Sequence, residues 1–205
     1  MRSTSAADAR ISHALVCFIL QNSLIVLFVL TMTSNEDKVL RKRAQRNEWF
    51  LQNFSDLNDQ KKHTFSGLDF YPYNSDYLKI CEVELFKNNE RAIFAVEGYG
   101  QIELRKYGSV KAEIDAQLVA LHLYCDLQTE NPTELIAPFK DKTNGKTTYG
   151  GGRNLNVQIE NGKAIVDFNE ATNMECAYSA ESVCALPLPE NWLSVSIEAG
   201  EKVLR

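Results

Sequence analysis

The residues best suited to chemistry lie between Phe139 and Asn169. Asp141, Thr143 and Tyr149 lead into Gly150, Gly151 and Gly152, and Arg153 follows at once. Consecutive glycines free the backbone for positive φ, so successive N–H groups can point at one place and form an anion nest. Arginine adds a planar fork matched to carboxylate or phosphate. No lysine–serine pair follows the glycines, and the segment opens a strand rather than a helix, so it is not a P-loop. The same residues also fit a tight bend with a structural arginine.

The elements around this stretch can be read from pattern. Asn161-Gly162 is a hairpin turn, because both central positions of a type I′ turn need positive φ. Counting back from it pairs Ile159 with Ala164, Val157 with Val166 and Leu155 with Phe168, all on one core face. The other face pairs Gln158 with Ile165, Asn156 with Asp167 and Asn154 with Asn169. Three amides and a carboxylate thus gather near Arg153. That face is either the solvated side of an antiparallel sheet or a ligand-facing wall.

Asp115-Ala116 sits where a second two-residue turn belongs. It pairs Ile114 with Gln117, Ala112 with Val119, Val110 with Leu121, Lys111 with Ala120 and Ser109 with His122. Alternation from Leu78 to Leu85 predicts a strand, with a return strand over 92–96 and a short strand over 135–139. A closing strand is predicted at Leu193, Val195 and Ile197. Ser34 or Asn35 caps a helix over about 35–54 that carries Glu36 and Asp37 in its first turn. The basic run along that helix reads as a solvated face or as a surface for an anionic partner. The fold class is therefore mainly antiparallel β, a barrel or sandwich of about eight strands with an N-terminal helix.

The 205 residues divide into a leader over 1–34, a helix and linker over 35–60, and a β domain over 61–205. Hydrophobic residues make up 44% and charged residues 24%, enough apolar material for a full core. A net charge of −5 argues against a general nucleic-acid binder. The apolar run from Ala14 to Met32 is near bilayer-spanning length. It fits a membrane anchor, a cleaved signal, or a reading frame extended upstream of a true start at Met32. The basic residues after it place the body on the cytoplasmic side in the anchor case. Cys176 and Cys184 are then expected as free thiols. His13, His63 and His122 offer no pair with metal-ligand spacing, so no metal site is expected, and no cofactor is implied. His122 reads as a hydrogen-bonded strand histidine.

Several motifs occur together in one order: Phe65-Ser-Gly-Leu-Asp-Phe-Tyr-Pro72, Ala137 to Arg153, Asp167-Phe-Asn-Glu-Ala171, Cys176-Ala-Tyr178, Cys184 to Asn191, and Ile197 to Glu201. In these the chain resembles the DUF1684 family, an uncharacterised and largely prokaryotic group, over about residues 60–202. The resemblance supplies a motif map without a reaction. It retains the polar positions Asp141, Thr143, Tyr149, Arg153, Asp167, Asn169, Cys176, Tyr178 and Asn191. The family usually carries an aromatic residue and an aspartate where Asn154 and Asn156 stand, and a glycine in place of Ala116. The functional expectation is a domain that binds a small anionic metabolite, with Arg153 and the glycines at the anion. The rivals are a hydrolase using Asp141, Asp167 or Cys176, and a membrane-tethered structural or interaction domain.

Overall fold

A computed structural model describes residues 34–53, 66–87, 90–96, 100–178, 182 and 184–204. The apolar leader, His13 and His63 lie outside these residues. The chain falls into two units, Met1–Lys38 and Val39–Arg205, and the core and the sheet belong to the second. Among the described residues no helix is long and apolar enough to cross a membrane.

Helix α1 spans Asn35–Asn53. Ser34 caps it: its hydroxyl accepts from the Asp37 N–H at 3.1 Å, and the Asp37 carboxylate accepts from the Ser34 N–H at 3.1 Å. Within the second unit, Phe50 is the anchor of α1. It is fully buried and packs with Leu68, edge-on to Tyr178 at 4.9 Å between ring centroids.

The strands are β1 (Leu78–Glu82), β2 (Glu84–Leu85), β3 (Arg91–Val96), β4 (Gly100–Ile114), β5 (Gln117–Cys125), β6 (Glu134–Ile136), β7 (Arg153–Asn154), β8 (Asn156–Glu160), β9 (Lys163–Asp167) and β10 (Thr172–Asn173). Eight of them form one antiparallel, nearly closed barrel-like sheet in the order β1-β9-β8-β6-β5-β4-β2, with β3 also on β4. Strands β7 and β10 form a separate pair. Alternation is clean on β3, whose side chains run exposed and buried in turn.

The β4–β5 hairpin has the register predicted from its turn, Ile114 opposite Gln117 through Ser109 opposite His122. The Asn161-Gly162 turn also forms, with φ of 51° and 78°. Its pairing runs from Glu160–Lys163 to Gln158–Ile165 and goes no further. On its other edge β8 pairs with β6, placing Asn156 opposite Ile136, and on its other edge β9 pairs with β1, placing Asp167 opposite Leu78. The β8–β9 ladder ends at Gln158–Ile165, so the expected Val157–Val166, Asn156–Asp167, Leu155–Phe168 and Asn154–Asn169 pairs do not form. The core face is as expected: Leu155, Val157, Ala164, Val166 and Phe168 are all buried.

Two strand predictions change. The segment predicted over 135–139 stops at Ile136, and Phe139 makes only an isolated bridge to Arg153. Leu193, Val195 and Ile197 are buried in alternation but form no strand. Their partner is the turn at 140–142, which offers backbone bonds at Lys140 and Lys142, while the Ile197 N–H goes to the Asp141 carboxylate at 3.3 Å.

Candidate functional site

Arg153 begins β7 and points inward. One guanidinium nitrogen bonds the Asp141 carboxylate at 2.7 Å and the Ile197 carbonyl at 2.9 Å; the other donates to the Ala199 carbonyl. The group lies 5.0 Å from the Phe139 ring centroid, and neither charged side chain reaches solvent. Asp141 also accepts from the Thr143 N–H at 2.7 Å, and the Thr143 and Thr148 hydroxyls share a hydrogen bond at 2.8 Å. This network joins the loop at 139–153 to the segment at 197–199.

The glycines serve that closure. Only Gly152 of the three has positive φ, at 113°, and its N–H donates to the Tyr149 carbonyl at 3.1 Å. A Cβ there would fall 2.6 Å from Pro187 Cγ and 2.9 Å from the Phe139 carbonyl. Gly150 and Gly151 form the turn before it, so the successive positive φ values of an anion nest are not present.

The other sequence-derived site residues fall into three separate groups. Asn191 takes the His122 N–H at 2.7 Å and donates to the His122 and Pro138 carbonyls at 3.0 and 2.9 Å. Asp167 and Asn169 are bonded to each other at 2.8 Å, and Asn169 is tied to the backbone of Asn74. The Tyr149 hydroxyl donates to the Cys176 carbonyl at 3.3 Å, and Asn173 bonds Tyr178 at 3.1 Å. Cys176 and Cys184 are free and half-buried, and the Cys176 N–H meets the Cys184 sulfur at 3.1 Å. Burial pushes the Cys184 thiol up to about 12, and burial with the Cys176 contact does the same for Tyr149.

His122 packs edge-on to Phe86 at 5.1 Å, and burial lowers its pKa, so it is neutral at pH 7. Its Nδ1 is buried without a hydrogen-bond partner. No hydrogen bond among the described residues links His122 to Cys176.

A cleft of about 530 Å³ lies between α1 and the amide-bearing end of β7 and β8. Lys42, Arg43, Arg46 and Trp49 line it from one face of the helix, at spacings of one, four and seven residues from the first. Asn154, Asn156 and Gln158 face them across the space, with Asn169, Thr172 and the carboxylates of Glu134 and Glu170 beside them; Gln158 donates to Glu134. This is the polar hairpin face noted in the sequence, and Asn169 is the only one of the sequence-derived site residues to line the cleft.

Each cation has a local partner. Lys42 pairs with Glu170. Arg43 lies over Phe70 and donates to the Tyr71 and Asn169 carbonyls at 2.9 and 3.1 Å. Arg46 lies over Trp49, donates one Nη to the Asn173 carbonyl at 3.3 Å, and stands 3.5 Å from Glu201 through Nε. The Arg43 and Arg46 Nε atoms and Asn154 Oδ1 are buried without hydrogen bonds. Five N–H donors belong to a guanidinium, so Arg46 keeps donors in reserve. Glu201 is fully buried, and desolvation raises its pKa to about 7 against the pull of Arg46. Among the described residues no group of three or more His, Cys, Asp or Glu side chains is placed to hold a metal.

The model of the family described as "Protein of unknown function (DUF1684)" matches residues 63–202, more than half of the chain. The chain belongs to this family. Its fold is also similar to that of an uncharacterised protein of Haloarcula marismortui solved by solution NMR. That likeness has a TM-score of 0.64 at 25% identity, covering 82% of this chain and 93% of the other. A search of curated proteins gave no match. The DUF1684 match begins after α1, so the cationic wall of the cleft lies outside it.

Sequence reasoning missed Arg43, Arg46 and Glu201 as one group. The basic run of α1 was visible, and so was the amide face of the hairpin. Their opposition comes from the docking of Phe50, which pattern alone does not give.

Proposed function

We propose that this DUF1684 protein binds a small anionic molecule in the cleft between α1 and the β7–β8 face. One observation carries the reading: three cationic side chains on one helix face stand opposite a row of amides across about 530 Å³. That volume suits a small molecule, and cations with convergent amides suit phosphate or carboxylate bearing further polar groups. The anion is assigned to Arg46 and its neighbours and not to Arg153, which is fully buried and does not line the cleft.

The hydrolase reading draws less support. Asp141 is committed to Arg153, and the Cys184 beside Cys176 is held as a thiol by burial. The cytoplasmic setting and the tether at residues 14–32 rest on the sequence, and N-terminal sequencing of the native protein tests the tether.

Thermal-shift screening of the full chain against phosphorylated and carboxylated metabolites tests the binding reading. A hit that raises the melting temperature for wild type and not for Arg46→Met is expected. No shift with any anion overturns it.

A further inference from the structure

A second cavity of about 310 Å³ adjoins the cleft and shares Arg46, Asn154 and Thr172 with it. Its remaining lining differs in character. Ile136, Pro138, Met174 and Ala185 give it an apolar wall, with the Cys184 thiol and the Asn173 amide among them and the exposed Glu175 at its edge. The larger compartment has the cations and amides. The smaller one has alkyl groups and a thiol that burial keeps uncharged.

A purely polar ligand would use only one compartment. Water in the other gains little from alkyl walls, whereas an apolar group placed there leaves water for a matching surface. The shared residues sit at the junction of the two: Arg46 is cationic, and Asn154 and Thr172 beside it are polar, with Asn154 Oδ1 buried without a hydrogen bond.

Building on the binding function above, we propose that the ligand is amphipathic: an anionic, polar end against Arg46 and the amide row, and a compact apolar group in the compartment walled by Ile136, Met174 and Ala185. Its chemical class is an alkyl or aryl phosphate or carboxylate. Arg46 stands at the joint and fixes the register of the two ends. The proposal needs no covalent step.

Calorimetric titration of the full chain with inorganic, methyl, propyl and hexyl phosphate tests it. Affinity is expected to rise about three- to fourfold per added methylene until the compartment fills. Ala185→Trp, which fills that compartment, is expected to remove the rise with chain length. Glu175→Trp, at an exposed position on the same wall, is expected to act likewise and does not depend on repacking the interior. Equal affinity for methyl and hexyl phosphate overturns the amphipathic ligand while the anion site stands. A chain-length gain that survives both tryptophan variants also overturns it. No binding of any phosphate or carboxylate probe overturns the anion site itself.

Discussion

The Arg153 guanidinium meets the Asp141 carboxylate at 2.7 Å, with neither side chain exposed. Two further carbonyls, from Ile197 and Ala199, accept from the same guanidinium, while its Nε is buried without a hydrogen bond. Removing one member leaves an uncompensated buried charge, which costs far more than the pair contributes. Arg153→Met and Asp141→Ala are each expected to lower stability by about 3–5 kcal/mol in urea titration. The double variant Arg153→Met/Asp141→Leu is expected to be less damaging than the sum of the two. Arg153→Lys is not expected to rescue, since an ammonium cannot reach an acid and two carbonyls in one plane.

The β4–β5 turn holds Asp115 at φ 49° and Ala116 at φ 58°. An alanine in the left-handed region costs roughly 1 kcal/mol, and Ala116 is exposed with no packing role to offset this. Ala116→Gly is expected to raise stability by about 1 kcal/mol, seen as a rise of about 2–4 °C in melting temperature. An unchanged or lower midpoint would count against strain at this turn.

Glu201 adds a pH dependence. Its native pKa of about 7 exceeds its ordinary value of 4.5 because burial disfavours the charged form. Between those values the native carboxyl keeps a proton that the unfolded one has lost, so its contribution falls as pH rises. Stability is expected to drop by up to about 1.4 kcal/mol per pH unit across that window. Glu201→Gln is expected to flatten this component. Parallel urea titrations at pH 5 and pH 7 decide it, and equal slopes for both proteins would refute it.

Asn191 spends its amide on the backbone of His122 and Pro138, stitching the loop after Pro189 to β5. Asn191→Ala orphans a buried N–H and two carbonyls, and a loss of about 1–3 kcal/mol is expected. Asn191→Asp is expected to be worse, because it sets a charge against the His122 and Pro138 carbonyls. Hydrogen exchange of the His122 amide gives a local readout, with faster exchange in both variants.

The hairpins were legible because their turns are local. Asn161-Gly162 marks its turn by residue type and Asp115-Ala116 by its place between two strand-like runs, and the core faces followed from both. The direction of Arg153 was not legible. Strand β7 is only two residues long, and its side chain turns inward to reach Asp141 and carbonyls near residue 199. The end of the Asn161-Gly162 hairpin misled for a related reason. Asp167 caps a short 3-10 turn at Phe168–Glu170, which takes Asn169 away from Asn154. The cleft was visible only as two unconnected halves.

The ion pair of Arg46 with Glu201 has a consequence for synthesis. Translation delivers α1 early and Glu201 late, so the helix leaves the ribosome long before its buried acid exists. A 19-residue helix with a basic face is only marginally stable alone. Until residues 197–201 arrive, Arg46 has no carboxylate behind it and Arg153 lacks two of its acceptors. The cleft is therefore among the last features the chain can complete, and a molecule captured by Arg46 would act as a clasp that favours the finished fold over its precursors.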